Sequence, residues 1–151
     1  MGAQTAQVSR NTEEAGIREC IESWTKALYA KDVDGVMSHY TPDILAFDLA
    51  PPLQHSAAEY RRGFAEWFKT WDGPIACEVR DLHIRVGGDV AWTRSLNHLS
   101  GKRTDGDKTD IWIRATLCFE KVGGRWLAAH EHLSVPFYMD GSYRAAVDLR
   151  P

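Results

Sequence analysis

Two apolar-rich runs, Asp110 to Lys121 and Arg125 to Pro136, flank Val122-Gly123-Gly124 and constrain this chain more than any other feature. The glycines tolerate positive φ, so the segment reads as a long antiparallel hairpin. Strand side chains alternate. In a regular second strand Trp126, Ala128, His130, His132 and Ser134 share one face, and Leu127, Ala129, Glu131, Leu133 and Val135 share the other. Neither face is dressed for water alone. Such a strand has to be covered twice, by a core or cavity on one side and by a partner on the other.

Upstream, Asn11 to Glu14 has capping-box spacing, and Ile17, Cys20, Ile21, Trp24 and Leu28 follow at helical intervals. The pattern predicts a first helix from about Thr12 to Ala30. Asp32 opens a short helix, Val33 to His39, which Thr41-Pro42 stops; Ile44 to Asp48 reads as a strand ended at Pro51-Pro52. Ser56 to Glu59 is a second capping box. It starts a helix to Trp71 with Tyr60, Phe64, Trp67, Phe68 and Trp71 on one stripe, closed by Asp72-Gly73-Pro74. From Ile75 onward the pattern is strand-like: Ile75 to Val86, a turn at Gly87-Gly88-Asp89, Val90 to Lys102, a polar loop, then the hairpin. Helices followed by a curled antiparallel sheet make an α+β domain. The expected shape is a cone, a strongly bent antiparallel sheet wrapped around the amphipathic helix, with the N-terminal helices closing it. Residues 1–10 read as a flexible N-terminus, 11–136 as the domain, and 137–151 as a tail packed on the domain or on a dimer partner.

Composition narrows the functional classes. A net charge of −3 with scattered basic residues gives no electrostatic case for nucleic acid. No segment approaches the run of about 20 apolar residues that a membrane span needs. Three widely spaced cysteines, Cys20, Cys77 and Cys118, argue for reduced thiols and a cytoplasmic protein. His130 and His132 could pair on a metal with Asp110, but no neighbouring spacing supports a site, and no metal or cofactor is expected. Nor is there a Ser-His-Asp or Cys-His pattern, or a phosphate-cradling glycine loop.

Tyr40-Thr-Pro-Asp43, then Asp48, the proline-rich turn, the capped aromatic helix, Gly124-Arg-Trp126 and His130-Glu-His-Leu-Ser134 occur in an order that resembles the SnoaL-like members of the nuclear transport factor 2-like superfamily. That group takes in ketosteroid isomerases, polyketide cyclases, dehydratases and a kinase association domain, so the resemblance implies a fold and leaves the function open. Set against the ketosteroid isomerase pattern, Asp48 falls at the proton-shuttling aspartate. Trp24 stands at the hydrogen-bonding tyrosine, and Ala115 or Thr116 at the partner acid. Two of the three groups of that chemistry are replaced, which argues against steroid isomerisation.

The same resemblance implies a strand parity. It points Trp92, Arg94, Leu96 and His98 inward, together with Ile113, Ala115, Leu117, Ala129, Glu131 and Leu133. The expected pocket is largely apolar, with Asp48, His98 and Glu131 as acid–base groups. Trp24, Tyr60, Phe64, Trp67, Trp92, Arg94 and Leu133 would contact a small apolar ligand. Carboxylates there would resist ionising, which suits proton transfer. The opposite face, with Trp112, Arg114, His130 and His132, would form a homodimer interface. A parity wrong by one residue would put Arg114, His130 and His132 in the pocket instead. Two functions fit: general acid–base chemistry on an apolar carbonyl-type substrate, or a non-catalytic ligand-binding or dimerisation module.

Overall fold

The computed structural model describes residues 2–151, with side chains from Val8 onward. Its elements follow the order α1 (Gly2–Tyr29), α2 (Val33–Met37), β1 (Tyr40–Phe47), β2 (His55–Ser56), α3 (Ala57–Phe68), β3 (Ala76–Gly87), β4 (Val90–Lys102), β5 (Lys108–Val122) and β6 (Arg125–Ser134). Helix α1 begins well upstream of the Asn11–Glu14 box, which therefore lies inside the helix instead of capping it. Met1 and the side chains of residues 2–7, part of the stretch read as a flexible N-terminus, lie outside the described residues. The second box is real. Ser56 Oγ accepts from the Glu59 amide, and Glu59 Oε2 accepts from the Ser56 amide at 2.8 Å, so two orphan donors of the α3 N-terminus are satisfied. Asp32 caps α2 by accepting from Gly35 N at 3.0 Å.

Six strands form one strongly bent open sheet in the order β2-β1-β6-β5-β4-β3. Neighbours are antiparallel except β1 and β6, which run parallel because α3 and three long strands separate them in the chain. Helix α1 packs on β3 and β6, while α3 lies at the β1–β2 end. The core between helices and sheet holds Ile17, Leu28, Val36, Ile44, Ile75 and Phe119, all essentially without exposure. Each such side chain contributes about 1.5–3 kcal/mol through burial.

Two irregularities shape the inner face. In β3 the pairing with β4 slips between Arg80 and His83, around Asp81 with its φ of 53°. In β6 Phe119 pairs with Ala128 but Cys118 with His130, so Ala129 is a bulge residue. Bulges bend a strand and interrupt its alternation. Trp126 and Ala128 before the bulge therefore share the inner face with Glu131 and Leu133 after it.

This corrects the expected parity at several positions. Trp126 does not stand beside His130 and His132. It is buried under α1, where Nε1 donates to Glu13 Oε2 at 2.8 Å. In β4 the inner face carries Ala91, Thr93, Ser95, Asn97 and Leu99, all buried, and Trp92, Arg94, Leu96 and His98 are turned to the outer face. The physical reason is space: small side chains let α1 approach the sheet, whereas Trp92 and Arg94 would hold it off. In the tail, Ala146 is buried, and the Arg150 guanidinium donates to Asp110 O at 3.2 Å.

Candidate functional site

A cavity of about 650 Å³ opens between α3, the end of α1, the loop after β1 and the inner faces of β4, β5 and β6. The periodicity that made α3 amphipathic supplies Tyr60, Phe64 and Trp67 to its wall; Trp24 and Leu28 come from α1, and Leu99, Ile111, Ile113 and Leu133 from the sheet. Few polar groups converge on it: Asp48, His55, Tyr60, Asn97 and Glu131, with Arg103, Asp105, Asp107 and Lys108 at the tip of the β4–β5 hairpin. That combination is typical of small-molecule sites.

Glu131 is the chemical centre. It is 3% exposed, and its Oε2 accepts from the Tyr40 hydroxyl at 2.6 Å and the Tyr60 hydroxyl at 3.1 Å. Burial pushes the carboxyl up to about 7 against the pull of the two tyrosine hydrogen bonds, and the Asp48 charge adds to the rise. Both tyrosine hydroxyls are held well above their ordinary range, by burial first and then by the Glu131 charge. They therefore serve as hydrogen-bond donors and not as bases near neutral pH. Both bonds fall on Oε2, which leaves Oε1 free of the tyrosines.

A second cavity of about 30 Å³, room for a water molecule, lies behind Glu131 between α1 and the sheet. Trp24, Asn97 and Glu131 belong to the walls of both cavities. Asn97 Oδ1 accepts from Ser95 Oγ at 2.8 Å, and Trp24 Nε1 is buried without a hydrogen-bond partner among the described residues. Burial pushes the thiols of Cys20 and Cys77 up to about 11 and about 12, so they stay protonated and are poor nucleophiles.

Of the residues expected at the pocket, Asp48, Glu131, Trp24, Tyr60, Phe64, Trp67 and Leu133 line the cavity. His98 does not. It stacks on Trp112 with centroids 4.7 Å apart, and Nε2 donates to Asp110 Oδ1 at 2.7 Å on the other side of the sheet. Trp92, 44% exposed, packs on His83, and Arg94 lies on the same outer face. The alternative pocket of Arg114, His130 and His132 is not formed either. Arg114 and His132 are exposed, and Nδ1 of His130 donates to Leu45 O at 2.5 Å while both imidazoles edge onto Phe47.

Sequence reading missed Tyr40, His55 and Asn97. Tyr40 falls between the expected helix, which ends at His39, and the expected strand from Ile44, yet it opens β1 and is 5% exposed. His55 is 8% exposed, and its Nε2 donates to Ala50 O at 3.2 Å, tying down the loop that follows Asp48. A signal for Asn97 existed: the run of small residues Ala91, Thr93 and Ser95 at alternate positions marks the face a helix can cover.

The chain matches a family model described as a SnoaL-like domain over residues 17–138. Among solved structures it is similar to an NTF2-like protein of unknown function from Pseudomonas putida, with 32% identity and a TM-score of 0.84 over 93% of this chain and 98% of that one. A ketosteroid isomerase-like protein from Erwinia carotovora atroseptica shares 20% identity at a TM-score of 0.68, over 80% and 93% of the two chains. The association domain of CaMKII from C. elegans shares 16% at 0.67, over 84% and 98%. At those identities the last two likenesses concern the fold. No curated protein matches the chain significantly.

Proposed function

The chain belongs to the SnoaL-like family, and we propose that it transfers protons on a small apolar carbonyl-type substrate, as an isomerase, cyclase or dehydratase would. One observation carries this reading: a buried carboxyl poised at about 7 in the wall of a large apolar cavity, hydrogen-bonded by two tyrosines. A group that is protonated on about half the molecules near neutral pH can both give and take a proton. Glu131 Oε1 exchanges the proton with the substrate. The Tyr40 and Tyr60 hydroxyls on Oε2 steady the carboxylate that remains after donation.

Asp48 supplies the second carboxyl. Its charge acts on both Glu131 and Tyr60, so the two acids share one cavity and repel one another. Two carboxyls in that relation divide into an acid and a base. Asp48 abstracts the substrate proton at the loop end of the cavity while Glu131 donates at the sheet end. The test is exchange of α-protons of cyclic ketones in D2O, followed by NMR. The chain should catalyse it, and Glu131→Gln and Asp48→Asn should each lose about 100-fold or more. Full exchange by both variants would sink the reading.

The donor set favours a second reading. Trp24, and Ala115 or Thr116, stand where the ketosteroid isomerase pattern places a tyrosine and an acid, which suits a module that binds without turnover. Saturable ligand binding with no exchange would select it. In either case the outer sheet face is proposed as a homodimer interface, built on Trp92, Trp112, Arg114 and His132 without Trp126. A sedimentation mass of twice 17.0 kDa supports it, and a monomer contradicts it. No helix among the described residues is long and apolar enough to cross a membrane. The free cysteines suit the reducing cytoplasm, where we place the protein.

A further inference from the structure

Arg103 sits where the β4–β5 hairpin docks on the end of α3. Its guanidinium carbon lies 4.5 Å from the Trp71 ring centroid, and its own amide donates to Asp107 O at 2.8 Å. Trp71 is 3% exposed and closely packed. Gly101 presses on its ring so closely that a Cβ there would lie 2.8 Å from Cζ3, and Lys31 Nζ donates to Trp71 O at 3.0 Å. The platform beneath Arg103 is therefore fixed, and stacking leaves the guanidinium's in-plane N–H groups pointing away from the ring.

The neighbouring Lys102 is already engaged with Asp72 at 2.6 Å. Arg103 makes no ion pair and no side-chain hydrogen bond among the described residues, although Asp105 and Asp107 flank it in sequence. Asp105 Oδ1 accepts from Asp107 N at 3.0 Å, turned back on its own loop. Arg103 and Trp71 both line the large cavity, where Asp48 and Glu131 repel an anion from their part of the wall. At the hairpin tip, which Lys108, Asp105 and Asp107 share, the stacked guanidinium is the cation with a planar N–H edge to offer.

We infer that Arg103 holds the anionic end of the substrate, and that the substrate class is a ring-sized apolar molecule bearing a carboxylate remote from the reacting carbon. This rests on the proton-transfer reading of the cavity. A guanidinium edge matches a carboxylate with two parallel N–H···O bonds, and the aromatic wall of Phe64 and Trp67 takes the body of the ligand.

The probes are 2-naphthoate and its uncharged isostere 2-naphthamide, titrated at pH 8 with the indole N–H signals of the tryptophans followed by NMR. In Arg103→Gln the ratio of naphthoate to naphthamide affinity should fall about tenfold, with naphthamide binding unchanged. Arg103→Lys should recover only part of it, because an ammonium lacks the fork. Lys102→Gln, next to Arg103 in sequence but paired with Asp72 and outside the cavity wall, should leave the ratio within about twofold, the scale of a screened surface charge. An unchanged ratio in Arg103→Gln, or an equal fall in both affinities, overturns the inference while leaving the cavity reading in place. Failure of the natural chain to bind either probe overturns the cavity reading as well.

Discussion

Ala128 and Glu131 lie three residues apart in one strand and yet share its inner face, because Ala129 between them is a bulge. Their exposures, 2% and 3%, show the same thing as the pairing. The bulge lets β6 bury Trp126 and Ala128 beneath α1 and then present a carboxyl to the cavity from the same side. Strand β1 slips at the same level, from Tyr40 opposite Ala128 to Leu45 opposite His130, and so brings the Tyr40 hydroxyl onto Glu131.

Glu131→Gln should alter the pH dependence of stability. The folded-state value of about 7 lies above the ordinary 4.5. Below pH 4.5 both states hold the proton; between 4.5 and 7 the unfolded chain releases it first, so stability falls as pH rises, and above 7 the loss is complete. The span is worth about 3 kcal/mol. Glutamine never ionises. Thermal unfolding should show the variant gaining on the natural chain from pH 5 to pH 8, and parallel profiles would contradict the buried carboxyl.

Tyr40→Phe and Tyr60→Phe each remove a hydrogen bond that lowers the Glu131 carboxyl. Each should raise its titration by about one unit, with Tyr40→Phe the larger because its bond is shorter at 2.6 Å against 3.1 Å. Carboxyl-labelled glutamate NMR reads this directly. A downward shift in either variant would mean that the hydroxyls do not donate to the carboxylate.

The helical stripe of α3, the Ser56 cap and the long strands were legible because each rests on local periodicity or one side-chain-to-backbone bond. Placing Asp48 and Glu131 on one cavity followed from the family resemblance. What failed was parity in β4. There the resemblance implied Trp92, Arg94 and His98 inward, and the small polar Thr93, Ser95 and Asn97 give no hydrophobic signal against it. Only the approach of α1, a tertiary fact, decides it. Tyr40 was missed because β1 begins before Thr41-Pro42.

Gly63 stands on α3 at the cavity wall with nothing within 4 Å of where a Cβ would lie. Gly63→Leu should stabilise the helix by about 1 kcal/mol through propensity. The same side chain would occupy the cavity. A raised melting temperature combined with at least tenfold weaker naphthamide binding is the expected pair of results; unchanged binding would place the ligand elsewhere.

Gly101→Ala should do the opposite. Its Cβ would lie 2.8 Å from Trp71 Cζ3 and 2.9 Å from Pro74 O, and neither yields easily: Trp71 is 3% exposed, and the carbonyl belongs to the backbone. Overpacking of this kind costs about 2 kcal/mol. Trp71 also carries Arg103, so the ring's displacement should reach the cavity mouth. Naphthoate binding should weaken while naphthamide, held by Phe64 and Trp67, changes less. Chemical denaturation measures the first effect, and the two-probe titration measures the second. A variant as stable as the natural chain, with the affinity ratio intact, would show that Trp71 can shift freely and that Arg103 does not depend on it for position.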